Sequence, residues 1–170
     1  MDSHLQELKR VLELAVDGMS GEQLTWHPAD KWSAAQILEH LYLTYAGTIK
    51  GFERVLQASQ PLATRATVRQ RWRALVVLGF GYLPSGRKAP PMTEPRGLPA
   101  DKVRNEIAVK IAAMDEIIAN CETRFGSKRL LDHPILGPLT AAQWRKFHLL
   151  HGRHHEKQIR SLRQDIKRIG

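Results

Sequence analysis

Phe147-His148-Leu149-Leu150-His151-Gly152-Arg153-His154-His155-Glu156-Lys157-Gln158 holds four of the chain's eight histidines. At about 100° per residue, a helix over this stretch puts His151 and His155 one turn apart on one face. His148 and Gln158 fall on the same stripe, with Trp144 above and Leu162 below. His154 points off to one side. Two imidazoles at i and i+4 can share one metal ion, because successive turns set their side chains one above the other. Ordinary surface or core histidines also produce an HxxxH pair, so a third ligand from another element has to decide between the two.

The 170 residues suffice for one domain with a real core, 1–170. Hydrophobic residues make up 42% of the chain, as in an ordinary globular protein. A single cysteine, Cys121, rules out an internal disulfide framework and fits a reducing compartment. Near the end of its helix it reads as a buried structural thiol. Met1-Asp2-Ser3-His4-Leu5 lacks the basic start and apolar run of a signal peptide. No stretch approaches the ~18 apolar residues of a membrane span. The expectation is a cytoplasmic protein with no membrane partner.

Lys and Arg number 26 against 17 Asp and Glu, a formal net charge of +9. That balance favours anionic partners. The excess gathers in Arg145, Lys146, Arg153, Lys157, Arg160, Arg163, Lys167 and Arg168, and again in Arg65, Arg69, Arg71 and Arg73. Solvated helix faces explain both groups most simply. No zinc finger, RNA-binding or basic-zipper pattern accompanies them, so nucleic acid is not the expected partner.

The rest of the chain reads as helices. Leu5, Leu8, Val11, Leu12 and Ala15 give an amphipathic helix over about residues 3–17, ended by Gly18 and Gly21. Ser33 and Gln36 form a capping box that opens a second helix from Ala34 to about Ala58. Its inward face carries Ile37, Leu41, Thr44, Thr48 and Phe52, with His40 beside them. Gly47 and Gly51 would let a neighbouring helix come close. Thr67 to Tyr82 is a third helix with Val68, Trp72, Leu75 and Val76 as its buried stripe. Pro84 to Pro99 is a loop with five prolines that carries Arg87, Lys88 and Arg96. Asp101 to Thr123 is a fourth helix. A second capping box, Thr140 with Gln143, opens the last helix, from about Ala141 to Lys167. No strand alternation appears, so the expected fold is all-α: an antiparallel bundle of four main helices with an additional helix.

Two motifs resemble the DinB-like family. One is Trp32-Ser33-Ala34-Ala35-Gln36-Ile37-Leu38-Glu39-His40-Leu41, similar to the second-helix motif. The other is His133-Pro134-x-x-Gly137-x-Leu139-Thr140-x-x-Gln143-Trp144, followed by Phe147-x-x-x-His151-x-x-His154-His155-x-x-Gln158. The resemblance implies a helical bundle, often dimeric. It also implies a divalent metal, commonly nickel or zinc, on three histidines: His40, His151 and His155. The family includes transferases and isomerases that use bacillithiol, mycothiol or glutathione, and many members have no established activity.

Three neutral imidazoles leave open coordination positions, as a catalytic metal needs. Zinc, nickel, cobalt and ferrous iron all accept such a set. An open position could take water or a low-molecular-weight thiol, which the metal would deprotonate. His148, His154 and Gln158 are candidates to hydrogen-bond a ligand. Arg87, Lys88 and Arg96 are candidates to attract the carboxylates of a thiol cofactor. A metalloprotease is disfavoured, because Gly152 stands where the general-base Glu of HExxH would be. The leading expectation is therefore a metal-dependent thiol S-transferase acting on a small electrophile. The alternative is a non-catalytic basic binding protein, for nucleic acid or another anionic partner, with structural histidines.

Overall fold

Polar side chains start the helices. Ser33 Oγ accepts from Gln36 N at 3.2 Å while Ser33 N donates to the Gln36 side chain at 2.9 Å. Ser20 with Gln23, Thr67 with Gln70 and Thr140 with Gln143 repeat this reciprocal pair. Each box satisfies amide groups that the first helical turn leaves without an internal acceptor. The computed structural model describes residues 1–83 and 88–169. Its helices are α1 (Ser3–Val16), α2 (Gly21–Thr25), α3 (Ala34–Ala58), α4 (Val68–Ala74), α5 (Ala100–Phe125) and α6 (Ala141–Ile169). The chain is thus mostly helical, as its periodicity indicates. Among the described residues, no helix is long and apolar enough to cross a membrane.

α3 lies along α5, and α1 lies along α6. Leu5, Leu8 and Leu12 from α1 are fully or almost fully buried, as are Ile37, Leu41, Tyr45 and Phe52 from α3. Ile111, Met114 and Ile118 from α5 join the same continuous core. One glycine sets how near α1 and α6 approach. A Cβ on Gly152 would stand 2.1 Å from Leu8 Cδ1, and Leu8 is itself enclosed. A largely buried ion cluster links α5, α6 and the start of α1. Arg145 donates to Asp115 at 3.1 Å and also pairs with Glu122, and Asp115 accepts from the Asp2 amide at 2.8 Å. Arg145 is therefore buried and paired, and it is not part of the solvated basic face expected for the C-terminal arginines and lysines.

Four other expectations need correction. First, a two-stranded antiparallel hairpin is present, β1 (Arg129–His133) with β2 (Gly137–Thr140). The strands have only five and four residues and Pro138 sits inside β2, so no alternation marks them. Burial of Leu130, Leu136 and Leu139 holds the hairpin to the core. Second, Gly51 faces Leu131 of β1, whose Cδ2 lies 2.4 Å from where a Cβ would be, and not a helix. Gly47 faces open space. Third, α4 passes into a π-helical segment, Leu75–Gly79, and its Val68/Trp72/Leu75 stripe is exposed. Val77 and Leu78 are buried in its place. Fourth, the proline-rich loop contains a 3-10 turn, Pro91–Thr93. Cys121 is buried as expected, its thiol 3.6 Å from the Phe52 carbonyl, and burial pushes its pKa up.

The two glycines separate space from propensity. Gly152→Ala should lower stability by about 1–3 kcal/mol, the usual cost of overpacking a filled core. Gly47→Ala should raise it by about 0.5–1 kcal/mol, because alanine is the better helix former and nothing obstructs it. Urea unfolding of both variants beside the wild type measures the contrast.

Candidate metal centre

α3 and α6 meet at three histidines. His40, in the second turn of α3, is 5% exposed, and its ring lies between Trp32 and the α6 stripe. His151 and His155 project from successive turns of α6. His155 Nε2 lies 3.1 Å from His151 Nε2, and His40 Nε2 lies 3.4 Å from the same atom. One ligand atom from each of the three falls within 4.8 Å of the others. Phe147 stacks on His151 with ring centroids 5.3 Å apart, and Trp32 lies 5.3 Å from His40. Among the described residues this is the group of histidine, cysteine or acidic side chains able to hold an ion.

The outward nitrogens fix the tautomers. His40 Nδ1 is 2.9 Å from the Thr93 carbonyl oxygen. A carbonyl only accepts, so Nδ1 carries the proton and Nε2 keeps its lone pair. The Gln158 side chain orders His155 in the same way. Its Oε1 accepts from His155 Nδ1 at 2.8 Å, and its Nε2 donates to His154 Nε2 at 3.3 Å. Two of the three inward nitrogens are thus bare acceptors. His151 Nε2 lies between them and carries one proton at most. A hydrogen bond can therefore satisfy only one of the two short contacts, and the other sets lone pair against lone pair. A cation at the centre of the three would satisfy all of them, so the donor set fits a divalent metal.

Electrostatics agrees with neutral ligands. Burial lowers the pKa of all three. For His151 the neighbouring histidines add to this, and the value falls well below the ordinary one. His155 is pulled down to about 3 by burial and then by His40, against the Gln158 hydrogen bond. His40 is lowered by burial, and its bond to Thr93 partly offsets this.

The other candidates take different roles. Gln158 hydrogen-bonds a member of the triad, and His154 reaches it through Gln158 and edge-on against the His155 ring, with centroids 5.3 Å apart. His148 instead bonds Thr48 Oγ1 at 3.1 Å, and that hydroxyl donates to the Thr44 carbonyl at 3.1 Å. Lys88 and the Arg96 side chain are exposed on the loop, and Arg87 lies outside the described residues. Arg96 contributes through its backbone. Its amide donates to Glu39 Oε1 at 2.6 Å, while the Gly97 and Leu98 amides donate to Oε2 at 3.1 and 3.2 Å. Glu39 is 1% exposed, so it is a buried anchor that holds the proline-rich loop against α3. This places the Thr93 carbonyl on His40. Sequence reasoning missed both contacts. Thr93 acts through its backbone and leaves no side-chain signature. Glu39 has a weak one, a carboxylate between the buried Leu38 and His40.

His133 is also structural. Its Nδ1 accepts from the Ile135 and Leu136 amides at 3.1 and 3.2 Å and closes the hairpin turn. Burial lowers His133 to about 4, and burial with the nearby His133 lowers His148 to about 3. In the unfolded chain both titrate near ~6.5. Below that pH the unfolded state takes up protons that the fold refuses, so stability falls as pH drops from ~6.5 toward the folded values. The limiting slope is about 1.4 kcal/mol per pH unit for each histidine. Urea unfolding between neutral and mildly acidic pH should show this loss, and His148→Gln should flatten it.

The family model described as "Protein of unknown function (DUF1569)" matches residues 2–162. No curated protein and no solved structure matches the chain significantly. These findings provide no link to the DinB-like family, so that resemblance rests on the motifs themselves. With the match covering nearly its whole length, the chain belongs to the DUF1569 family of proteins of unknown function.

Proposed function

We propose that the protein binds one divalent metal ion, nickel or zinc, on His40, His151 and His155. In this reading the four long helices α1, α3, α5 and α6 form a DinB-like bundle around the site. The observation that carries it is the convergence of three imidazole nitrogens whose protons cannot satisfy one another. A metal bound there would act as a Lewis acid that lowers the pKa of a thiol or water at its open position. The chain's own residues do the rest. Thr93 and Gln158 hold the Nδ1 protons of His40 and His155 and so aim both lone pairs inward. Trp32 and Phe147 wall the imidazoles with apolar rings, which keeps them neutral and limits water.

The activity proposed for this site is thiol S-transfer to a small electrophile. The thiol gives its proton to solvent, its sulfur forms a bond to the electrophilic carbon, and the leaving group departs with the bonding pair. No electron passes to or from the protein. Lys88 and Arg96, exposed on the loop that covers His40, and Arg87 beside them in sequence, would supply positive charge toward the carboxylates of a thiol cofactor. Pairing into a homodimer follows from the resemblance, and a cytoplasmic location from the single cysteine, which fits a reducing compartment.

Elemental analysis of protein purified without added ions should find close to one nickel or zinc per chain. His151→Ala should lose most of it, since two imidazoles hold an ion far less well than three. His154→Ala should keep it. Full occupancy in His151→Ala would show the site to be misassigned. Gln158→Ala should weaken metal affinity by about 10- to 100-fold, the usual effect of removing a ligand's hydrogen-bond partner. Thiol conjugation assayed with bacillithiol, mycothiol and glutathione tests the chemistry separately. Metal-loaded protein that conjugates none of them would leave a metal-binding protein of other activity.

A further inference from the structure

Between Glu53 and Glu94 the chain has no acidic residue, yet it has seven Lys or Arg. The same segment carries most of the large apolar side chains that face solvent. Val68 is 83% exposed, Trp72 66% and Phe80 78%, with Leu75, Tyr82 and Met92 also exposed. Three of them form one stripe. On α4, Val68, Trp72 and Leu75 fall within about 60° of one another. Arg71 flanks that stripe on one side, and Arg69 and Arg73 flank it on the other. The reverse side of α4 is the one that docks. The Gln70 side chain lies 2.8 Å from where a Cβ on Gly137 would be, and Ala74 packs on the core. The helix is therefore fixed by its polar side, with its apolar stripe turned outward between two rows of arginine.

We infer that this face, the Val68/Trp72/Leu75 stripe with the arginines on its flanks, docks onto an anionic lipid bilayer. A helix lying in the bilayer plane buries an apolar stripe at the headgroup boundary, while arginines on both flanks reach the phosphates. The observed arrangement has each of those parts. A second copy of the chain is a poorer occupant, because a two-fold contact would bring Arg69 and Arg71 of each copy together without a compensating carboxylate in the segment. Nucleic acid would use the arginines and the aromatic rings but leave Val68 and Leu75 without a role. The contact is peripheral, so it needs no helix long and apolar enough to cross a membrane, and none is found among the described residues. It departs from the sequence-based expectation of no membrane partner. It also stands apart from the metal assignment, because none of its residues is a proposed ligand.

Vesicle flotation of the full chain tests the inference. The protein should float with vesicles of phosphatidylcholine mixed with phosphatidylglycerol and stay behind with phosphatidylcholine alone. Raising salt should weaken binding. Arg69→Glu with Arg71→Glu should reduce affinity on the order of a hundredfold. Trp72→Ala should reduce it about tenfold, through lost apolar burial. All three side chains are exposed, so circular dichroism and metal content should not change. Absence of flotation with the anionic vesicles would overturn the inference. So would equal binding to both vesicle types. Sedimentation showing a dimer that Trp72→Ala dissociates, with no vesicle binding, would assign the face to a second copy instead. Salt-sensitive retention of DNA without vesicle binding would assign it to nucleic acid.

Discussion

Three imidazole nitrogens pointed at one another are unstable company without a positive charge between them. The backbone carbonyl of Thr93 and the amide oxygen of Gln158 each claim an outward proton, so His40 and His155 face inward as acceptors. His151 can answer only one of them. The rest of the fold arranges this meeting. Gly152 lets α1 lie close to α6, α3 brings His40 across, and Glu39 fastens the loop whose carbonyl orients His40. The histidines occupy positions that a stable core would give to leucine. Holding them neutral costs stability at low pH, and a bound cation would return some of it.

The site is polar at its centre and apolar at its walls. Trp32 and Phe147 pack against the imidazoles, and Trp144 stacks on His148 with an interplanar angle of 29°. Low polarity strengthens interactions between an ion and its ligands and keeps the histidines deprotonated. The opposite pattern governs α4, which turns apolar side chains outward among arginines. One chain thus holds an inward cluster suited to a cation and an outward face suited to anions. Arg69, Arg71 and Arg73 of that face contribute to the formal net charge of +9, which says nothing of the inward cluster.

Much of this was legible in the sequence. Helical periodicity locates α1, α3, α5 and α6 to within two residues at each end, and the capping boxes at Ser33 and Thr140 mark two starts. The i, i+4 spacing places His151 and His155 together on one face. Bringing His40 to them required a tertiary contact, which the motif resemblance supplied and periodicity could not. Other features left little trace. The hairpin is too short, and too interrupted by Pro138, to alternate. The period of α4 correctly gives an apolar stripe but cannot say whether it faces the core or solvent. Its direction is set by Gln70 against Gly137, a contact between segments far apart in the chain. Arg145 looked like one more surface cation because its partners Asp115 and Glu122 lie on another helix.

X-ray absorption at the metal edge, on protein purified without added ions, tests the central claim most directly. The account predicts a nickel or zinc edge whose fit requires three imidazole nitrogens, at about 2.0–2.1 Å if the ion is zinc. An edge with no imidazole scattering, or no metal in the wild-type protein even after loading, would contradict it.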